Sequence, residues 1–475
     1  MRTTMRHTAL WLAAVAVAAT GSLSVTAAQA AAPPATTVAA GIVVPGYSPT
    51  APYTPRTGVI INDPQIRDRQ RVIMNHIVNL YDSAPPNSRI RMSDWNIAYS
   101  PFVSTAIAAH RRGVSVQIMM SAGVAARQDP RTGDYATLKR GLEQDGRNAS
   151  RPAALRSFIR TCVDACRGAG GINHAKFLTV SQTGGTVASP TPAPPVPAPT
   201  GTPTPAPAPT PVPTSPTARN IVMISSANVT KVAMFNQWND AFTLVGDAKV
   251  YGFYERTFGE MVAGTRGNYS TSTSANFPWL LAAWFNPFRD RPDPIMVMLN
   301  KVRCTGAVGA GSRGRTVVRL AHTVLTGDRG MTVAKKVKSL NRAGCITKVV
   351  FTLMDRKIRN MLYSTTGTRV PIRQLVRDRD RDGFYDLYLH TKTLTISGNW
   401  GGDRGAHVVR TGSENISAKS AVSDETGFDV KHVGYETLYS RWIDSVFAKG
   451  TTSYTPRAPS DARVGADPWR DVQLD

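Results

Sequence analysis

Two histidine–lysine pairs stand in the sequence at matched distances from two serine–asparagine turns. His174-Ala175-Lys176 is followed by Ser225-Ser226-Ala227-Asn228, and His390-Thr391-Lys392 by Gly412-Ser413-Glu414-Asn415. His390 to Asn415 spans 25 positions and His174 to Asn228 spans 54; the difference of 29 is the length of segment 189–217. That segment holds 13 prolines and no charged residue, and is otherwise almost wholly Ala, Thr, Val and Ser. It reads as an extended polyproline-type insert that cannot pack a core. With it removed, the two halves have the same spacing.

In an extended chain, residues i and i+2 project from one face, so each H-x-K sends an imidazole and an ammonium to one point. The turns add the hydroxyls of Ser226 and Ser413, backbone N–H groups and the amides of Asn228 and Asn415. All of these suit phosphate oxygens. Two such halves facing each other across a pseudo-twofold axis gather two His, two Lys and two Asn around a single phosphate.

The paired motifs resemble those of the phospholipase D superfamily, whose half-motif is H-x-K-x4-D followed by G-S-x-N. The resemblance covers nearly the whole chain after residue 30. In both halves the motif Asp is replaced by serine, at Ser181 and Ser397. The resemblance implies an α/β fold of two domains, each a mixed β-sheet flanked by helices, forming a pseudo-dimer within one chain. It also implies hydrolysis of a phospholipid head-group phosphodiester through a phosphohistidine, giving phosphatidic acid and a free alcohol. His174 is the implied nucleophile and His390 the acid that protonates the leaving alcohol and then activates water. Lys176, Lys392, Asn228 and Asn415 would screen the phosphate, and catalysis would require no cofactor. The alternative expectations are a secreted endonuclease of the same superfamily, and a catalytically weak protein that binds anionic lipid or wall polymer; Ser181 and Ser397 motivate the second. Polar residues downstream of each turn, Asn239 with Asp240 and Asp424 with Glu425, are placed to orient the histidines. Such a partner fixes the tautomer and raises imidazole basicity.

The elements that must position these residues also repeat. Ser88–Trp95 has strand character and is followed by a helix from Pro101 to Arg112, Gly113 and an apolar strand, Val114–Met120. In the second half, the strand Thr316–His322 leads to a helix over Thr332–Arg342, then Gly344 and the strand Ile346–Phe351. Strand, amphipathic helix, glycine stop and strand make the parallel βαβ unit. The expected domains are 52–275, which contains the 189–217 insert, and 276–475.

Ahead of them, residues 1–30 read as a signal peptide: Arg2 and Arg6, an apolar run too short to span a bilayer, and Ala28-Gln29-Ala30 as the cleavage site. Residues 31–51 read as a flexible lead-in. The expectation is a secreted, extracellular monomer with no transmembrane segment. Its formal net charge of +24, to which the leader contributes two arginines, draws it to polyanions such as an anionic membrane surface or nucleic acid. Four cysteines in an exported chain favour disulfides. Three pairings are open, and Cys162–Cys166 with Cys304–Cys345 keeps each bridge within one half. Zinc is the weaker reading, since no second C-x-x-C or H-x-x-x-H accompanies them.

Asp378, Asp380, Asp382 and Asp386, with Gly383 at the turn, have the D-x-D-x-D-G-x-x-D form of a structural calcium loop, although the interleaved arginines Arg377, Arg379 and Arg381 offer a plain charged turn instead. The aromatic run from Phe277 to Phe288 reads as a packed connector between halves, with a membrane-touching element as the rival. His76, His110, His322, His407 and His432 show no ligand spacing and read as structural or surface residues.

Overall fold

Two β-sheets carry the fold. The computed structural model describes residues 53–184, 218–289, 291–364, 369–455 and residue 472. The expected signal peptide, lead-in and proline-rich insert lie outside the described residues. The first sheet has seven strands in the order Gly58–Ile61, Asp240–Leu244, Ala218–Ser225, Phe177–Thr183, Arg89–Asp94, Ser115–Ser121 and Phe158–Cys162. The second is built around the order Thr426–Lys431, Asp403–Gly412, Lys392–Trp400, Val317–Leu325 and Ile346–Met354, extended at one edge by Leu280–Phe285 and Ser270–Ser272 and at the other by Ile372–Gln374. Both sheets are mixed: Arg89–Asp94 runs parallel to Ser115–Ser121 and Val317–Leu325 parallel to Ile346–Met354, whereas each H-x-K strand is antiparallel to its neighbours. This is the expected α/β class.

The duplicated lead-in is visible in the backbone. Helix Ser100–Arg111 joins the first parallel pair and helix Gly327–Arg342 the second. Gly113 at φ +100° and Gly344 at φ +94° make the turns that follow, a backbone region costly for residues with a Cβ. The second helix begins earlier than the expected Thr332, at Gly327.

Alternation along the strands fixes how the sheets stack. Leu178, Val180, Ile221 and Met223 face helices Val72–Asp82 and Ser100–Arg111 on the outer side of the first sheet. Phe177, Val222 and Ile224 point the other way, into a core shared with Phe285, Val409 and Phe428 of the second sheet. Aromatic edges knit this inner layer: Phe177 lies 5.4 Å from Phe285, Phe242 5.6 Å from Phe428, and Tyr254 4.7 Å from Phe285, all as ring centroids. Contacts of this kind add about 0.5–1.5 kcal/mol each beyond area burial. The outer face of the second sheet is covered by Gly327–Arg342 and Arg356–Tyr363. The layers therefore run helix, sheet, a shared middle layer that includes helices Ala248–Ala263 and Val433–Lys449, sheet and helix, and the described residues fall in one compact unit.

The aromatic run is part of this packing. Leu280–Phe285 is a strand in the second sheet, and Trp284 and Phe285 are buried, which matches the connector reading. Strand Ser270–Ser272 pairs with it, so the second sheet begins shortly ahead of residue 276. Cys162–Cys166 and Cys304–Cys345 are both bonded. No helix among the described residues is long and apolar enough to cross a membrane.

Candidate active site

Each half builds its site from one antiparallel hairpin. Strand Phe177–Thr183 returns as Ala218–Ser225, with Thr183 paired to Ala218 at the far end. The described positions on either side of residues 185–217 are therefore neighbours. Lys392–Trp400 returns as Asp403–Gly412 through Gly401 and Gly402. An antiparallel return brings the beginning of the first strand beside the end of the second. His174 and Lys176 thus meet the Ser226–Asn228 turn, with the Ser225 N–H donating to the Lys176 carbonyl at 3.0 Å. Lys176 and Lys392 each turn the ammonium back to the carbonyl of their own histidine, at 3.0 and 2.6 Å. All eight side chains expected to carry the chemistry (His174, Lys176, Ser226, Asn228, His390, Lys392, Ser413 and Asn415) are buried, none more than 2% exposed. In so dry a setting each charge acts strongly.

The histidines are oriented across the halves. Nδ1 of His174 donates to both oxygens of Glu425, at 2.9 and 2.8 Å, and Ser413 Oγ donates to the same carboxylate at 2.5 Å. Nδ1 of His390 donates to Oδ1 of Asn239 at 3.0 Å, and Ser226 Oγ donates to the same oxygen at 3.0 Å. The Asn239 amide has one orientation, because its Nδ2 donates to the carbonyl of Ala233 and to Gln237 Oε1. Backbone pairing enforces the exchange. Asn173, next to His174, bridges to Asp424, next to Glu425; Leu389, next to His390, pairs with Trp238, next to Asn239. Each H-x-K segment is thereby docked onto the segment of the opposite half that bonds its histidine.

The two half-sites are alike in geometry and unlike in charge. His174 has a carboxylate behind it and the edge of Trp95 beside it at 6.1 Å; His390 has a neutral amide and Tyr388 at 6.1 Å. The other two expected orienters serve elsewhere. Asp240 accepts from the hydroxyls of Thr391, Thr411 and Tyr439, and Asp424 accepts from the Cys166 N–H. Burial lifts the Asp424 carboxyl to about 7 despite Arg167.

Ser181 and Ser397, at the motif-Asp positions, stand away from this centre. Ser181 Oγ accepts from the N–H of Arg89 at 2.9 Å and Ser397 Oγ from the N–H of Gly311 at 3.0 Å. Each lies five residues beyond its lysine, roughly 16 Å along a strand. The serines pin a neighbouring segment and touch neither histidine relay.

Five residues in or behind the site were given no role there by the sequence. Asn62 accepts from the Asn239 N–H at 2.6 Å and so supports the His390 relay. Arg329 donates to the Asn415 carbonyl at 2.7 Å and pairs with Glu414 at 2.6 Å, while Arg410 holds the other Glu414 oxygen at 2.9 Å. Burial alone would raise the Glu414 carboxyl, but the two arginines outweigh it and hold it low. Removing one partner of such a buried network costs about 3–5 kcal/mol. Asp94 and His322 are the other two. His322, read from the sequence as a structural or surface residue, is buried directly opposite Lys392. Asp94 ends the first strand of its βαβ unit, and His322 lies three residues before the end of the other, toward the carboxyl edge where α/β sheets place ligands.

At the acidic loop, ligand oxygens of Asp378, Asp380 and Asp382 lie within 4.8 Å of one another. Asp386 does not join them: it accepts from the Arg379 N–H at 3.0 Å and pairs with that guanidinium at 3.4 Å. Three of the four expected oxygens therefore fit a hard cation, and the fourth is taken by arginine.

No family model matches the chain, and no curated protein matches it. Among solved structures it is similar to a polyphosphate kinase from Porphyromonas gingivalis, at 12% identity and a TM-score of 0.45, covering 82% of this chain and 50% of that one. The chain thus spans half the length of that protein. It is also similar to a phosphatidylserine synthase from Haemophilus influenzae Rd KW20, at 11% identity and a TM-score of 0.47, covering 80% and 84%. A third similar structure is Nuc, a phospholipase D family member from Salmonella typhimurium, at 16% identity and a TM-score of 0.27, covering 44% and 97%.

Proposed function

We propose that this chain is a phosphodiesterase of the phospholipase D type, working through a covalent phosphohistidine at a single site shared by the two halves. The observation that carries this reading is the crossed orientation of the histidines: with Nδ1 of His174 bonded to Glu425 and Nδ1 of His390 bonded to Asn239, the chemistry falls to the two Nε2 atoms.

The charge difference supports one assignment of roles. Nε2 of neutral His174 attacks phosphorus and forms the N–P bond, and the imidazolium so created is stabilised through Nδ1–H by the Glu425 carboxylate. The P–O bond to the leaving alcohol breaks as Nε2 of protonated His390 gives that oxygen its proton. Backed by an amide, His390 releases the proton more readily than it would beside a carboxylate. Neutral His390 then takes a proton from water, the water oxygen attacks phosphorus, and the N–P bond breaks to restore His174. Lys176, Lys392, Asn228 and Asn415 balance the charge of the phosphoryl oxygens.

The substrate class we favour is a phospholipid, cleaved to phosphatidic acid and the head-group alcohol, at an anionic surface that the net charge of +24 would attract. The same charge favours nucleic acid, which makes a secreted endonuclease the second reading. Two disulfides support an oxidising, extracellular setting. We assign the Asp378–Asp380–Asp382 cluster to a structural calcium ion that takes no part in the reaction. Purified protein assayed with EDTA on phosphatidylcholine vesicles and on plasmid DNA tests the reading. Released choline with intact plasmid supports the lipase; nicked plasmid without choline moves the function to the endonuclease; neither product leaves a binding protein.

A further inference from the structure

The two strands that flank the catalytic hairpins carry unlike residues at equivalent positions opposite the two lysines. His322 lies directly opposite Lys392, just as Leu320 lies opposite Leu394. In the first half Met92 lies opposite Leu178 and Ser93 opposite Phe177. The next residue of each first-half strand is Asp94 and Lys176, so Asp94 occupies the place of His322. Directly opposed residues project to the same face of a sheet, which puts an acid beside one catalytic lysine and an imidazole beside the other.

Asp94 is 2% exposed, and its Oδ1 accepts from the Asn96 N–H at 2.9 Å. The charged and titratable groups that face it are Lys176 and His174 from the H-x-K segment and the Tyr81 phenol from helix Val72–Asp82; the Val229 N–H, beyond the Ser226–Asn228 turn, also reaches it. His322 is equally buried, among Glu414, Lys392, Arg329 and Arg410, and neither of its ring nitrogens has a hydrogen-bond partner among the described residues.

We propose that Asp94 is a positioning residue that must be protonated for turnover, so that the first half-site presents a neutral group beside its lysine as the second half does with His322. This inference rests on the phosphodiesterase reading. An ionised Asp94 would cancel Lys176 and repel the phosphoryl oxygens, whose charge grows toward the transition state; a protonated one leaves Lys176 to the phosphate. The surroundings agree. Burial lifts the Asp94 carboxyl to about 7 despite Lys176 and His174, and burial pushes His322 down to about 3, where it stays neutral.

The sign follows directly. His390 must be protonated to act as acid, and Asp94 must be protonated as well, so activity falls as each of the two groups loses its proton. On a logarithmic plot the alkaline limb of kcat/KM should fall with a slope of about two in the wild-type protein, and of about one once Asp94 cannot ionise. A p-nitrophenyl phosphodiester assayed from pH 5 to 10 reads this in the wild type, in Asp94→Asn, and in Asp94→His, which installs the second half's own residue. Asp424→Asn is the control, since that acid also titrates near neutrality, and it should keep the steeper slope. A single-proton limb in the wild type overturns the inference without recourse to any variant. So does an unchanged slope in folded Asp94→Asn and Asp94→His, or a slope lowered by Asp424→Asn instead. Wild-type protein that turns over no phosphodiester at any pH overturns the functional reading, and this inference with it.

Discussion

Glu425 holds Nδ1 of His174 from 251 residues away, and it does so from the other half of the chain. Asn239 holds His390 the same way, in the opposite direction, across 151 residues. Neither half can therefore complete a working imidazole alone. The pseudo-twofold is a mutual dependence of two sheets, and its arms differ in the group that orients each histidine: a carboxylate on one side, an amide on the other.

That difference predicts unequal orienters. Glu425→Gln removes the charge that stabilises the His174 imidazolium and should lower kcat about 10–100-fold, the usual cost of losing an orienting partner. Asn239→Asp supplies His390 with a carboxylate, raises its basicity and should shift the alkaline limb of kcat/KM to higher pH. A pH–rate profile of both variants checks this; a limb that stays in place in Asn239→Asp contradicts the assignment of His390 as the acid.

The proline-rich segment should be dispensable. Thr183 and Ala218 pair at the mouth of the hairpin, and deleting 189–217 leaves residues 184–188 to close it. Loop-closure entropy changes slowly with length, so stability should move by about 1 kcal/mol. Chemical denaturation and turnover of the deletion variant measure this directly. Loss of the fold or of activity would mean the segment does more than span the gap.

Much of the site was legible because the motif repeats. His174, Lys176, Asn228 and their second-half mates share a spacing that survives once 29 residues are set aside, and the βαβ lead-ins share a pattern of strand, helix and glycine. What could not be read was the exchange between halves. Asn239 and Glu425 stood out as polar residues at the start of a strand, but one-dimensional order gives no sign that each serves the distant histidine. Asp94 and His322 escaped for a related reason: alternation along a strand does not mark a single polar residue near its carboxyl end, and only the register of Leu178 and Leu394 shows them to be equivalent. The serines at 181 and 397 drew attention as departures from a motif, yet five residues of extended chain separate each from its lysine.

Calcium should act on stability and leave the chemistry alone. Millimolar Ca²⁺ should raise Tm, and Asp380→Ala with Asp382→Ala should abolish the rise. Because Asp386 is paired with Arg379, Asp386→Ala should retain most of it. Turnover in EDTA should persist at temperatures where the fold does. Scanning calorimetry with and without calcium decides the matter, and a Tm indifferent to calcium leaves a plain charged turn.

The central claim is one phosphate served by two histidines in sequence. His174→Ala and His390→Ala should each lower turnover by several orders of magnitude, and the double variant should add little, because groups acting as a unit are strongly non-additive. The most direct measurement is trapping with a p-nitrophenyl phosphodiester, whose leaving group needs little protonation. Quenched His390→Ala protein should carry a phosphoryl adduct on His174 by mass analysis, and His174→Ala protein should carry none. An adduct on His390 would reverse the roles, and a single variant that keeps half the wild-type rate would contradict the shared site.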